Sequence, residues 1–144
     1  MHGAANKQSG LSLIEVLITV VLVSIGLLGL AGLQLMTVQN TNSAAERFEA
    51  TTLARNILER MRANRQQARN GDYNLVLGAA PGGSGLVGDD QTAWLGSLGV
   101  LPAGQGAIDV DAAGIVTIEV QWTDASDDNA GASRDMSVFL RTEL

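Results

Sequence analysis

One carboxylate constrains this chain more than anything else in it. Residues 16–45 contain no charged side chain, and Glu15 stands at the head of that run. About 20 apolar residues suffice for one helix to cross a bilayer, so the run is long enough to span. A secretory signal would have a shorter apolar core of about 7–15 residues with its cleavage site behind it. An ionised carboxylate in such a helix is costly unless a cation meets it or it reaches the headgroups. Two readings of Glu15 follow: it snorkels to the membrane surface, or it is reserved for a positive partner.

The residues around it name that partner. A short polar leader with Lys7 ends at Gly10, and Leu11-Ser12-Leu13-Ile14-Glu15-Val16-Leu17 follows. This resembles the class III leader of type IV prepilins, in which a membrane peptidase cuts after the glycine and methylates the new amine. The resemblance implies cleavage between Gly10 and Leu11, N-methylation of Leu11, and a carboxylate at the fifth mature position, Glu15, that serves subunit assembly by facing the amine of a neighbouring copy. The chain departs from the family at the first mature residue, which is usually Phe and here is Leu11.

Composition narrows the chemistry. The chain has no Cys, and its one His, His2, lies in the segment to be removed. No disulfide can staple an exported head, and most nucleophilic and zinc chemistry is excluded from the mature chain. Residues 1–70 carry +3 and residues 71–144 carry −9, for a net charge of −6. An acidic distal half argues against a phosphate-binding surface there. Charge counting across the span is ambiguous, with Lys7 on one side and Arg47 and Arg55 on the other. The orientation with a cytoplasmic N-terminus and a periplasmic head in the inner membrane comes from the resemblance.

Within the span Gly26, Gly29 and Gly32 recur every third residue, each costing about 1 kcal/mol relative to Ala in a helix interior. They permit close helix packing or local unwinding, or they are the glycine common in membrane helices. Many pilins have a proline nearby; this chain has none before Pro81.

Residues 39–43 are the polar exit from the membrane, and Ser43-x-x-Glu46 reads as a capping box that would start a second helix. The resemblance implies one continuous helix instead, a spanning part over 11–38 and an amphipathic continuation over 39–70. Ala50, Leu53, Ala54, Ile57, Met61 and Ala68 make its apolar stripe, which Asn64 interrupts. Six arginines occupy its other faces. They read as a solvated surface paired with Glu46, Glu49 and Glu59 rather than as a nucleic-acid or lipid patch, because aromatics are not interleaved with them.

Asn70-Gly71 stops the helix, and 71–144 is expected to be a globular head. Residues 73–77 form a short strand or loop, and 78–88 a mobile glycine-rich stretch. Gly83-Ser84-Gly85-Leu86-Val87-Gly88 fits G-x-G-x-x-G but lacks the βα setting of a nucleotide site. Residues 89–98 predict a short helix capped by Asp90 and ended by Gly99, with Trp94 and Leu98 facing the core. Ile108 and Val110 begin a strand; 115–122 and 136–141 alternate with period two. An antiparallel three-stranded meander packed on the amphipathic helix follows, an α+β fold. The acidic loop at 124–131 is read as a hairpin loop rather than a calcium site, since its spacing is not that of an EF-hand.

The order of helix, loop, Trp-bearing helix, Leu-Pro and a strand ending Val-Gln-Trp-Thr-Asp is similar to the minor pilins called type IV pilus modification protein PilV. That resemblance implies the type IV pilin fold and a minor pilin; with no His or Cys in the mature chain and no catalytic constellation, an anchored enzyme, the third class, is not expected, nor is a cofactor or metal. Its implied partners are other major and minor pilins, the prepilin peptidase and the inner-membrane assembly platform. It would take part in pilus assembly or priming, and through the pilus in attachment, twitching motility or DNA uptake. A minor pseudopilin of a type II secretion system shares the leader and helix. A pilus-tip adhesin or DNA-binding module is the reading from another class.

Overall fold

A computed structural model of the chain describes residues 12–124 and 134–144. It divides into two compact units, one up to Gln39 and one from Asn40 to Leu144.

Helix α1 spans Leu13–Ala63. In the first unit it is built from Leu, Ile and Val without a proline, and an 18-residue window reaches a mean hydropathy of 2.7 with none of it buried. The hydroxyls inside this stretch close on their own helix: Thr19, Ser24 and Thr37 donate to the carbonyls of Glu15, Val20 and Leu33. The hydroxyl donors at those positions are satisfied within the helix. Helical geometry continues through 40–43. Ser43, read as a cap, instead donates to Asp124 Oδ2 at 2.9 Å, and Glu46 accepts from Trp122 Nε1 at 3.0 Å.

The second unit contains the core. Ala50, Leu53, Ala54, Ile57, Leu58 and Met61 of α1 are buried. The helix expected to run to about residue 70 breaks at Asn64, whose backbone (φ −116, ψ 48) leaves the α region before the five-residue α2, Arg65–Arg69. The amide of Asn64 donates to Tyr73 Oη at 3.2 Å, a side-chain bond that competes with a regular helix at this point. Next come α3, Leu86–Ser97, and a 3-10 turn, Leu98–Val100.

The sheet has the order β1-β2-β3, all antiparallel: β1 is Gln105–Val110, β2 Ile115–Asp124 and β3 Arg134–Glu143. Register pairs Ile118 with Ile108 on one side and with Leu140 on the other. The period-two reading of the two longer strands holds. Val116, Ile118, Val120 and Trp122 are buried, and Met136, Val138 and Leu140 pack against the same core half-covered, as an edge strand requires. β1 begins three residues earlier than its first apolar pair announces, because Gly106 is a packing position: a Cβ there would lie 2.4 Å from the Trp94 ring. Residues 73–77 contribute a single bridge, Leu75 to Ile108.

Two expectations for the head change. Within the stretch from 78 to 88, Gly82 and Gly83 are tied down, since their amides both donate to Gln91 Oε1 at 3.0 Å. The short helix starts at Leu86, after Gly85 at φ 58, so Asp90 is an interior residue and not its cap. Residues 125–133 lie outside the described residues, and with them most of the acidic loop considered for calcium.

Candidate functional site

Two places carry the chemistry that the sequence singled out: the start of α1 and the polar seam between α1 and α3. Glu15 stands exposed in the first turn of α1, and among the described residues its carboxylate has no ion pair. Gly10 and Leu11, the expected cleavage and methylation positions, lie outside the described residues. Every side chain from 12 to 38 is exposed. Gly26, Gly29 and Gly32 meet nothing: a Cβ on any of them would have no atom within 4 Å. Nothing within the chain therefore demands glycine at those three positions.

In the head, one buried acid organises three elements. Asp90 accepts from Arg60 Nη1 at 3.0 Å and from Tyr73 Oη at 2.7 Å. Tyr73 is fully buried and its hydroxyl in turn accepts from Asn64. Beside it, Gln91 Nε2 donates to the Tyr73 carbonyl at 3.1 Å. Burial pushes the Tyr73 phenol above its ordinary pKa, and the hydrogen bond to Asp90 pushes it the same way. The side chain of Asp90 is only 11% exposed, against 40% for Arg60. An acid in this setting is retained because its charge is compensated and both oxygens are bonded. The cluster fastens α3 to α1.

Other polar contacts tie the head together. Trp94 Nε1 donates to the Leu53 carbonyl at 3.0 Å, a second tie between α3 and α1. Of the three glutamates expected to balance the arginine face, only Glu59 has an ion pair among the described residues, with Arg62 at 2.7 Å, while Glu46 accepts from Trp122. Arg65 and Arg69 both donate to the Leu144 carbonyl. The G-x-G-x-x-G stretch does open a helix, yet it is a contact between backbones: a Cβ on Gly88 would sit 2.4 Å from the Gly83 carbonyl oxygen. Asp89 and Asp90 follow at once, the wrong sign for a phosphate. Among the described residues no cluster of three His, Asp or Glu could hold a metal ion.

A helix long and apolar enough to cross a membrane continues into a small α+β head, with an exposed acid in its first turn, the arrangement of an anchored-subunit class of protein. Comparison with protein families is consistent with that class. Residues 5–31 match the prokaryotic N-terminal methylation motif, and residues 32–80 match the family described as type IV pilin Tt1218. No curated protein and no solved structure was found to match. The matches support a type IV pilin, and the long apolar helix with its small antiparallel sheet is the α+β fold of that family. The motif and the long apolar helix fit a membrane-anchored pilin.

Proposed function

We propose that the chain is a minor pilin of a type IV pilus, close in kind to the PilV modification proteins, cut between Gly10 and Leu11, methylated on Leu11, and assembled with other pilins through α1. The single observation that carries this is the pairing of a fully exposed apolar half-helix with an unpaired Glu15 at its head. Such a surface is stable in a bilayer or among similar helices and nowhere in water. In the filament the new amine of one copy supplies the cation that the next copy's Glu15 needs, which offsets the cost of a carboxylate among apolar side chains. Gly26, Gly29 and Gly32 then admit close approach of neighbouring helices. The head does no chemistry; it presents a surface of its own, and attachment, motility or DNA uptake belong to the assembly.

The test is the N-terminus of the mature protein by mass spectrometry, with Glu15→Ala alongside. The expected result is methylated Leu11 in the wild type and a cleaved, membrane-inserted variant that fails to enter filaments. An intact Met1 on the functional protein, or normal incorporation of Glu15→Ala, refutes the reading.

A further inference from the structure

Strand β3 is the outer strand of the sheet, with β2 on one side and no strand on the other. Which backbone groups face the free side follows from the ladder. Opposite residues of an antiparallel pair either exchange both backbone bonds or none, in alternation. Ile108 gives its N–H and C=O to Leu75, away from β2, so Ile118 opposite it turns to β3. The even-numbered residues of β2 therefore bond to β3, and the bond from the Leu144 amide to the Gly114 carbonyl keeps the same alternation. Their partners Met136, Val138, Leu140 and Thr142 are satisfied within the sheet. Asp135, Ser137, Phe139 and Arg141 turn their N–H and C=O groups outward, where no hydrogen bond meets them among the described residues.

Such a row is a template for another strand, and proteins blunt it with proline, a bulge or charge. β3 has no proline, and it pairs with β2 from Arg134 to Glu143 without a bulge. Its charges remain, and their order decides what can pair with it. Outward groups must meet outward groups, so odd positions lie opposite odd ones. For a second copy of β3 running antiparallel, each register then has its two-fold axis at one residue. With the axis at Val138, Asp135 of each copy lies opposite Arg141 of the other, and Ser137 lies opposite Phe139. On the core side Met136 lies opposite Leu140, Val138 opposite itself and Arg134 opposite Thr142. The half-covered apolar row of one sheet continues into that of the other.

The other registers lose these matches. An axis at Phe139 sets Asp135 against Glu143 twice, and one at Ser137 sets Arg134 against Leu140. Axes at Met136 or Leu140 form no ion pair, and axes at Asp135 or Arg141 set like charge on like. An axis at Thr142 pairs Arg141 with Glu143 but leaves only residues 140–144 in contact. The neighbouring charges leave this order unchanged. Asp135 accepts from Thr123 at 3.4 Å through one oxygen, and Arg141 has no ion pair among the described residues. Glu119 and Asp109 stand one and two strands inward. Glu143 would be diagonal to the second copy's Asp135, further from it than the directly opposite Arg141. Arg65 and Arg69 are held at the Leu144 carbonyl, past the paired stretch.

We propose that β3 pairs edge to edge with β3 of a second copy, antiparallel about a two-fold axis at Val138, joining the two three-stranded sheets into one. A contact of this kind uses the free edge of both copies and closes at two. It goes beyond the pilin reading and requires neither cleavage nor a filament.

Because the chain has no cysteine, disulfides read the register in the full-length protein. In native membranes treated with a mild oxidant, Val138→Cys is expected to give a dimer. Position 138 meets itself without backbone bonds across the axis, and its two Cα atoms come within the span of a disulfide. In Met136→Cys or Leu140→Cys the two thiols are four residues apart, about 14 Å along the strand, so each alone is expected to give about tenfold less. Coexpressed with different tags, those two are expected to give the mixed 136–140 product, a second readout that leaves Val138 in place. Asp135→Arg or Arg141→Asp, added to Val138→Cys, is expected to lower the dimer about fivefold, and both together to restore it. A Val138→Cys dimer no stronger than that of Met136→Cys, absence of the mixed product, or a double swap without rescue overturns the pairing. A bond from position 138 only to a different protein overturns it as well. None of these outcomes bears on the N-terminus of the mature chain, which tests the pilin reading separately.

Discussion

Replacing Asp90 by Ala removes the one group that ties α1, α3 and the segment at Tyr73 together. The cost can be worked from its bonds. Tyr73 is fully buried, so losing its acceptor strands a hydroxyl donor without water, a penalty of about 1–3 kcal/mol. Arg60 is 40% exposed and returns largely to solvent, so its lost pairing adds no more than about 1 kcal/mol. The expected destabilisation is therefore about 1–4 kcal/mol, most of it through the tyrosine. Trp94 and Trp122 are both buried in the head, which makes tryptophan fluorescence a reporter of that unit alone. Urea unfolding of the full chain in mild detergent should show the midpoint of Asp90→Ala lowered by about 0.5–2 M at a slope near 2 kcal/mol/M. Tyr73→Phe removes the stranded donor in advance, so the double variant must cost clearly less than the two single variants added. A midpoint for Asp90→Ala within error of wild type, or strict additivity with Tyr73→Phe, would show that the acid is not what holds these elements.

Tyr73 is the only tyrosine, so its ionisation can be followed directly by tyrosinate absorbance, with a folded-state pKa expected above the ordinary 10.0. A pKa raised on folding contributes stability that is complete below about pH 10 and is lost as the pH climbs through the folded value; Tyr73→Phe should abolish that alkaline loss, and a titration at or below 10 would contradict it. Gly106→Ala drives a methyl to 2.4 Å from the Trp94 ring and 2.8 Å from Leu98 Cδ1. The expected cost is about 1–3 kcal/mol by the same urea assay, and a neutral result would mean that the ring relaxes freely. Alanine at Gly26, Gly29 and Gly32 meets no atom of its own chain. Membrane insertion and head stability should be unchanged, and any loss should appear only in filament incorporation.

What the sequence makes legible is what periodicity controls. The uncharged run behind Glu15 and the alternation of Val116, Ile118, Val120 and Trp122 each depend on a single local rule, and the structure follows both. The seam at Asp90 escapes a purely local rule. An aspartate just ahead of an apolar stretch is a good N-cap, but the helix had already begun at Leu86, after a left-handed glycine whose neighbour Gly83 packs backbone on backbone with Gly88. A signal for the right answer was present in the spacing. Asp90 and Trp94 are four residues apart, so if Trp94 faces the core on a helix, Asp90 faces it too. An acid on that face requires a cation, and Arg60 is the arginine on α1 that lies at the margin of the buried stripe, between Ile57 and Met61. The break at Asn64 follows from the same cluster: its amide is drawn to the Tyr73 hydroxyl that Asp90 holds, so the end of a helix is set by a carboxylate 26 positions later in the chain. No window of sequence short enough to show periodicity contains both residues, which is why the apolar framework could be read from one end of the chain to the other while the polar fastenings of the head could not.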